Sequence, residues 1–184
     1  MGLDMYLTRK LYVKNWDFMK PEERHTITVL KGGAPVPAVK PERISEITEQ
    51  VAYWRKANAI HQWFVDNVQD GKDDCGEYYV SREQLAVLRD LCIQVLQSTQ
   101  LAPAKINDGT TYYPDGRVEH CTKDGEAIVD PQAAAQLLPT SSGFFFGSTD
   151  YDQYYSQDVR ETAEVLASLL AEPDEGDFYY HSSW

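Results

Sequence analysis

The chain has 184 residues, 42% of them hydrophobic and 12% aromatic, with a formal net charge of −12. That composition fits one globular domain and excludes a disordered chain. The charge is uneven, about +3 over residues 1–60 and −15 over 61–184, and an acidic surface repels phosphate backbones, which argues against general nucleic-acid binding.

No apolar run reaches the roughly 20 residues of a membrane span, so no membrane partner is predicted. The opening MGLDMYLTRK lacks the pattern of a secretory signal. The three cysteines, Cys75, Cys92 and Cys121, have no CxxC spacing, which favours thiols over a disulfide framework. Together these features predict a cytosolic protein.

In chain order, Leu3, Met5, Leu7, Leu11 and Val13 share one parity and predict a half-buried strand from the start. Residues 15–24 read as loop, and Thr26 to Leu30 as a second, β-branched strand. Ala34 to Pro41 holds three prolines and is extended. Residues 41–70 then predict a long central helix, because Ile44, Ile47, Val51, Trp54, Asn58, His61, Val65 and Val68 recur at alternating spacings of three and four. Gly71 is its expected stop.

Glu77 to Val80 is a short strand. Ser81 and Gln84 form a capping box for a helix whose buried face is Leu85, Leu88, Leu91, Cys92 and Val95. Residues 103–130 predict an inserted hairpin or meander, with turns at Pro114-Asp115-Gly116 and Asp124-Gly125. Asp130 caps a short helix, PQAAAQLL. Residues 138–150, with Phe144, Phe145 and Phe146 between Gly143 and Gly147, predict a buried strand. Thr149 and Asp152 are expected to cap the last helix, with Tyr155, Val159, Thr162, Leu166 and Leu169 inward. The acidic, aromatic tail at 173–184 is expected to be mobile or to dock on a partner. The predicted class is α+β: a single domain with a mixed or antiparallel sheet against the long central helix and two further helices.

Three groups of side chains invite a functional reading. Arg55, Asn58, His61 and Gln62 fall on one side of the predicted helix and form a candidate patch for a polar small molecule, to which Tyr151 and Tyr155 add aromatic surface. The plainer alternative is a buried network that ties the helix to its neighbours. Asp73, Asp74, Cys75 and Glu77 are an acidic turn; with His61 they could make an oxygen-rich metal site or a Cys/His pair, and a metal-assisted hydrolase would use His61 with Asp74. No HxH, HExxH or CxxC spacing backs it, so no metal or cofactor is predicted. The Gly-rich passage from 143 to 149 matches neither GxxxxGK[ST] nor GxGxxG.

The opening MGLDMYL, the block ANAIHQWFVDNVQDGKDDCGEYYVSREQL and SGFFFGSTDYDQYY resemble a family of small proteins of tailed bacteriophages and prophages without an assigned activity. The resemblance covers residues 1–14, 53–97 and 138–170. It implies a phage accessory protein in the cytoplasm of an infected bacterium, and no catalytic residue. The leading expectation is non-enzymatic binding of a small polar ligand or a host protein. The alternatives are the hydrolase just described and a structural component of the virion.

Overall fold

The computed structural model describes residues 2–143 and 146–184. Its fold is α+β, with helices and antiparallel sheets. Strands β1 (Asp4–Tyr12), β4 (Glu46–Arg55), β5 (Tyr78–Val80) and β8 (Asp177–Ser183) form one four-stranded sheet in the order β4-β1-β8-β5. Every neighbouring pair in it is antiparallel. The small hairpin of β2 (Leu30–Lys31) and β3 (Ala34–Pro35) lies on the excursion between β1 and β4. Helices α1 (Asn58–Asn67), α2 (Arg82–Ser98), α3 (Gln132–Leu137) and α4 (Gln153–Ala171) complete the layer on one face. The long hairpin of β6 (Leu101–Tyr112) and β7 (Val118–Ile128) projects between α2 and α3.

The predicted 41–70 helix is corrected. Residues 41–43 are a single 3-10 turn, residues 46–55 are strand β4, and only 58–67 are helical. The physical reason is a β-bulge. Leu7 pairs with Ala52 but Thr8 pairs with Gln50, so Val51 is an extra residue. A bulge reverses the in–out parity of its strand. Ile47 and Trp54 therefore share the inward parity although they are an odd number of residues apart, a spacing a regular strand forbids and two helical turns allow. Lys56, with φ of 60°, breaks the strand, and the helix begins two residues later.

The core lies between the inner sheet face and the helices. Met5, Leu7, Trp54, Val80, Phe178 and Tyr180 meet Phe64, Leu85, Leu88, Cys92, Val159 and Leu166. The Phe64 and Tyr180 rings stack at 3.9 Å between centroids, nearly parallel. The Trp54 indole N–H donates to Thr162 Oγ1 at 2.9 Å, which fixes β4 on α4. The stripes expected for α2 and α4 are observed, and burial pushes the Cys92 thiol up to about 12, so it is an inert core group.

Other expectations stand differently. The Ser81–Gln84 capping box is present in both directions. Residues 26–29 are not strand, and the extended pairing starts at Leu30. Asp124 and Gly125 lie inside β7 rather than in a turn. A Cβ on Gly125 would stand 2.5 Å from Ile106 Cδ1, so any larger residue there would push the Ile106 side chain aside. Residues 138–143 and 146–150 form no strand, and Phe144 and Phe145 of the proposed strand lie outside the described residues. Asp152, not Thr149, caps α4, its Oδ1 accepting from the N–H groups of Tyr154 and Tyr155.

The largest correction concerns the tail. It is neither free nor spare: residues 177–183 form β8, which lies between β1 and β5. Its inward side chains Phe178, Tyr180 and Ser182 are buried. β5 has no other neighbour in the sheet. Deleting residues 177–184 is therefore expected to abolish cooperative unfolding in urea, because β1 and β5 lose their ladder partner and Phe64 loses its stacked ring. A truncated chain that melts as sharply as the full one would show that β8 is not an integral strand.

Candidate functional site

His61 sits one turn into α1 and is completely buried. Its Nδ1 lies 2.7 Å from the Tyr180 hydroxyl and its Nε2 3.1 Å from Asp73 Oδ2. A carboxylate only accepts, so Nε2 carries the proton, and Nδ1 then accepts from the Tyr180 O–H. Burial, with Asp73 nearby, holds the Tyr180 phenol well above its ordinary range and keeps it a donor. Asp73 Oδ1 accepts from the Trp184 indole N–H at 3.0 Å. The result is a chain, Tyr180–His61–Asp73–Trp184, that fastens α1 to β8. Neither ring nitrogen is left for a ligand, so His61 belongs to a buried network and not to a ligand patch.

The pairing of His61 with Asp74 is corrected as well. Asp73 is the partner. Asp74 instead accepts from the Gly76 N–H at 2.9 Å and from the Tyr78 hydroxyl, and these bonds hold its carboxyl below the usual range. Among the described residues no three His, Cys, Asp or Glu side chains come together as a metal site. His61 and Asp74, the pair that the hydrolase reading would use, each bond other partners.

Asn58 is buried too, and all its bonding capacity toward the 138–150 loop is used. Its amide N–H groups donate to the carbonyls of Phe146 and Ser148, and its Oδ1 accepts from the Ser141 N–H. Tyr155 donates to the Leu138 carbonyl, and Tyr151 accepts from the Thr140 N–H. Three of the six candidate residues thus pin this loop. Arg55 pairs with Asp4 at 3.1 Å and is more than half exposed, while Gln62 donates to Asp66.

The six do not form one patch. Arg55, Asn58 and Tyr155 line a cavity of about 290 Å³ between the first turns of α1 and α4. Tyr151 lines a neighbouring space of about 520 Å³ under the hairpin. Gln62 borders a third, of about 420 Å³, with Asp73 and Trp184. His61 lines none of these three. The first cavity shares Asp150 and Asp152 with the second.

The first cavity has the most chemistry. Helix α1 starts at Ala57, which offers no side-chain cap. The backbone N–H groups of Ala59 and Ile60, in the first turn of α1, have no partner among the described residues, so they are open to an acceptor in the cavity. Lys56 and Arg55 stand on the same wall. Asp158, from the second turn of α4, lines the cavity without a hydrogen-bond partner among the described residues. Burial first, then Glu161 and Asp152, pushes its carboxyl up to about 7. The sequence reading passed over Asp158, although a carboxylate beside Val159 and one turn from Tyr155 on an inward stripe is itself a signal. Asp73 was among the candidates but not as the partner of His61, and Trp184, which the fold brings to Asp73 from 111 residues away, was passed over.

No family model, curated protein or solved structure matches this chain.

Two predictions follow from these placements. His61→Gln is expected to cost about 1–3 kcal/mol, because a buried network is left short of a partner. Combined with Tyr180→Phe the losses should be non-additive in urea melts, and strict additivity would show that the pair is uncoupled. The second concerns pH. The folded value of Asp158, about 7, lies above the unfolded value of about 3.9. The folded state therefore holds the extra proton between those values, so this group's contribution is fully present below about pH 4 and is lost as pH rises through about 7. Asp158→Asn should raise the melting temperature at pH 8 and flatten its fall between pH 4 and 8. An unchanged profile would show that the carboxyl is well solvated.

Proposed function

We propose that this protein is a phage accessory protein, without catalytic activity, that binds a small polar molecule in the cavity between the starts of α1 and α4 inside the infected bacterium. The phage setting rests on the resemblance of the MGLDMYL, IHQWFV and SGFFFGSTDYD segments. The binding reading rests on one observation: the N–H groups of Ala59 and Ile60 and the carboxyl of Asp158, none with a partner among the described residues, belong to residues that line the same cavity of about 290 Å³. Free donors and a free acid in one small space suit a ligand that offers an acceptor to the first and a donor to the second. Arg55 and Lys56 favour a negative group at the helix start, where the dipole has the same sense. A molecule bearing both an acidic and an amino or amide group satisfies both walls.

Among the described residues no helix is long and apolar enough to cross a membrane. The test is to purify the protein from infected cells, denature it, and identify released small molecules by mass spectrometry. Binding of each is then measured by calorimetry. A co-purifying polar molecule whose affinity falls on the order of tenfold or more in Asp158→Asn is the expected result. An empty extract, with no stabilisation by anionic, cationic or zwitterionic compounds, would overturn the reading.

A further inference from the structure

The sheet has a second face, which packs against none of the helices. Strand alternation places Tyr6 of β1, Tyr53 of β4, Tyr79 of β5, and Tyr179 and His181 of β8 on it together. Tyr6 stacks on His181 with ring centres 4.8 Å apart, and Tyr53 leans on Tyr6 at 5.3 Å. Tyr79 meets Tyr179 edge to face at 6.0 Å. Tyr53 and Tyr79 are 46% and 56% exposed. Single exposed rings are ordinary, but five from four strands gather into two ring clusters on one face, Tyr53–Tyr6–His181 and Tyr79–Tyr179, and such surfaces mark contacts.

The charge around the rings decides what fits. Asp4, Glu46 and Asp177 share the face, and Glu77 borders it. The face's two cations are engaged: Lys10 with Glu77, and Arg55 with Asp4. One ring already holds a cation, since Lys10 Nζ stands 4.3 Å from the centre of Tyr179. The surface is therefore electron-rich rings with a surplus of carboxylates, on a chain of net charge −12.

We propose that this face docks an arginine-bearing segment of a basic partner protein, guanidinium planes laid on Tyr79, with Asp177 two residues from its strand partner Tyr179, and on Tyr53, and a further cation met by Glu46 at the other end of β4. Arginine suits it better than lysine, because a planar guanidinium stacks on a ring and pairs with a carboxylate at once. A single-stranded nucleic acid could use the rings but would bring phosphates to an acidic face whose cations are already paired. A second copy of the chain would set this acidic face against itself. The proposal is independent of the cavity reading, and neither falls with the other.

The probe is a labelled oligoarginine peptide, followed by fluorescence anisotropy, beside an oligolysine peptide of equal length and labelled oligothymidylate. Oligoarginine should bind several-fold more tightly than oligolysine, and added salt should weaken it. Tyr53→Ala with Tyr79→Ala should lower its affinity on the order of tenfold, whereas Tyr79→Phe alone keeps the ring and should retain it. Glu46→Gln with Asp177→Asn should weaken binding and flatten the salt dependence. All four positions are surface sites, and circular dichroism melts confirm that each variant is folded. The proposal is overturned if oligoarginine does not bind, if the tyrosine variants bind it as the parent does, or if oligothymidylate binds more tightly. A concentration-dependent dimer in sedimentation that disappears in the tyrosine variant would equally assign the face to self-association.

Discussion

Tyr180 is the residue through which the sheet and the helix layer become one object. Its ring lies flat on Phe64 and its hydroxyl meets His61, so a single β8 side chain fills the centre of the core and satisfies a buried imidazole. An unpaired buried polar group is expensive, and a half-satisfied network is worse than an apolar core. The placement of β8 therefore constrains α1, and α1 in turn constrains the loop that Asn58 holds. Asp73 and Trp184 extend the same chain to the surface. Polarity in the middle of α1 thus ties that helix to β8, since the observed packing pairs both nitrogens of His61.

The helices α2, α3 and α4 were legible because their signals are local. A capping box, an apolar stripe at helical spacing and a proline or acid at the entrance each need only neighbouring residues. β4 was not legible, since the Val51 bulge gave a strand the spacing of a helix, and only pairing with β1 reveals it. β8 was missed for a related reason. DFYYHSS has β-propensity, but its acidic lead-in resembles a solvated tail, and its partners β1 and β5 lie far away in sequence. Of the candidate site, the importance of Asn58 and His61 could be read from their place on an apolar stripe. Their partners could not, because Ser141, Phe146, Asp73 and Tyr180 reach them through tertiary structure alone.

The two proposed surfaces draw on different parts of this architecture. The cavity lies where two helix starts converge, α1 uncapped by any side chain and α4 capped by Asp152. That asymmetry leaves backbone donors open on one wall and carboxylates on the other. The aromatic face belongs to the opposite side of the sheet, where strand alternation alone sets the order of the rings. Tyr180 points inward and Tyr179 outward from adjacent positions of β8, so one strand serves both the core and the outer surface.

Placing β8 next to β1 also sets how the chain must assemble. Asp4 pairs with Ser183 and Lys10 with Asp177, so the central ladder closes loops that span nearly the entire sequence. Contacts of that separation are entropically late, since the ordering cost precedes the gain. The helices and the β6–β7 hairpin can form early from local contacts, while β1 and β5 still carry open edges. Until β8 arrives, those edges are templates for pairing with other chains. The architecture thus trades folding speed for closure, and crowding of unfinished chains is the condition under which that trade is most exposed.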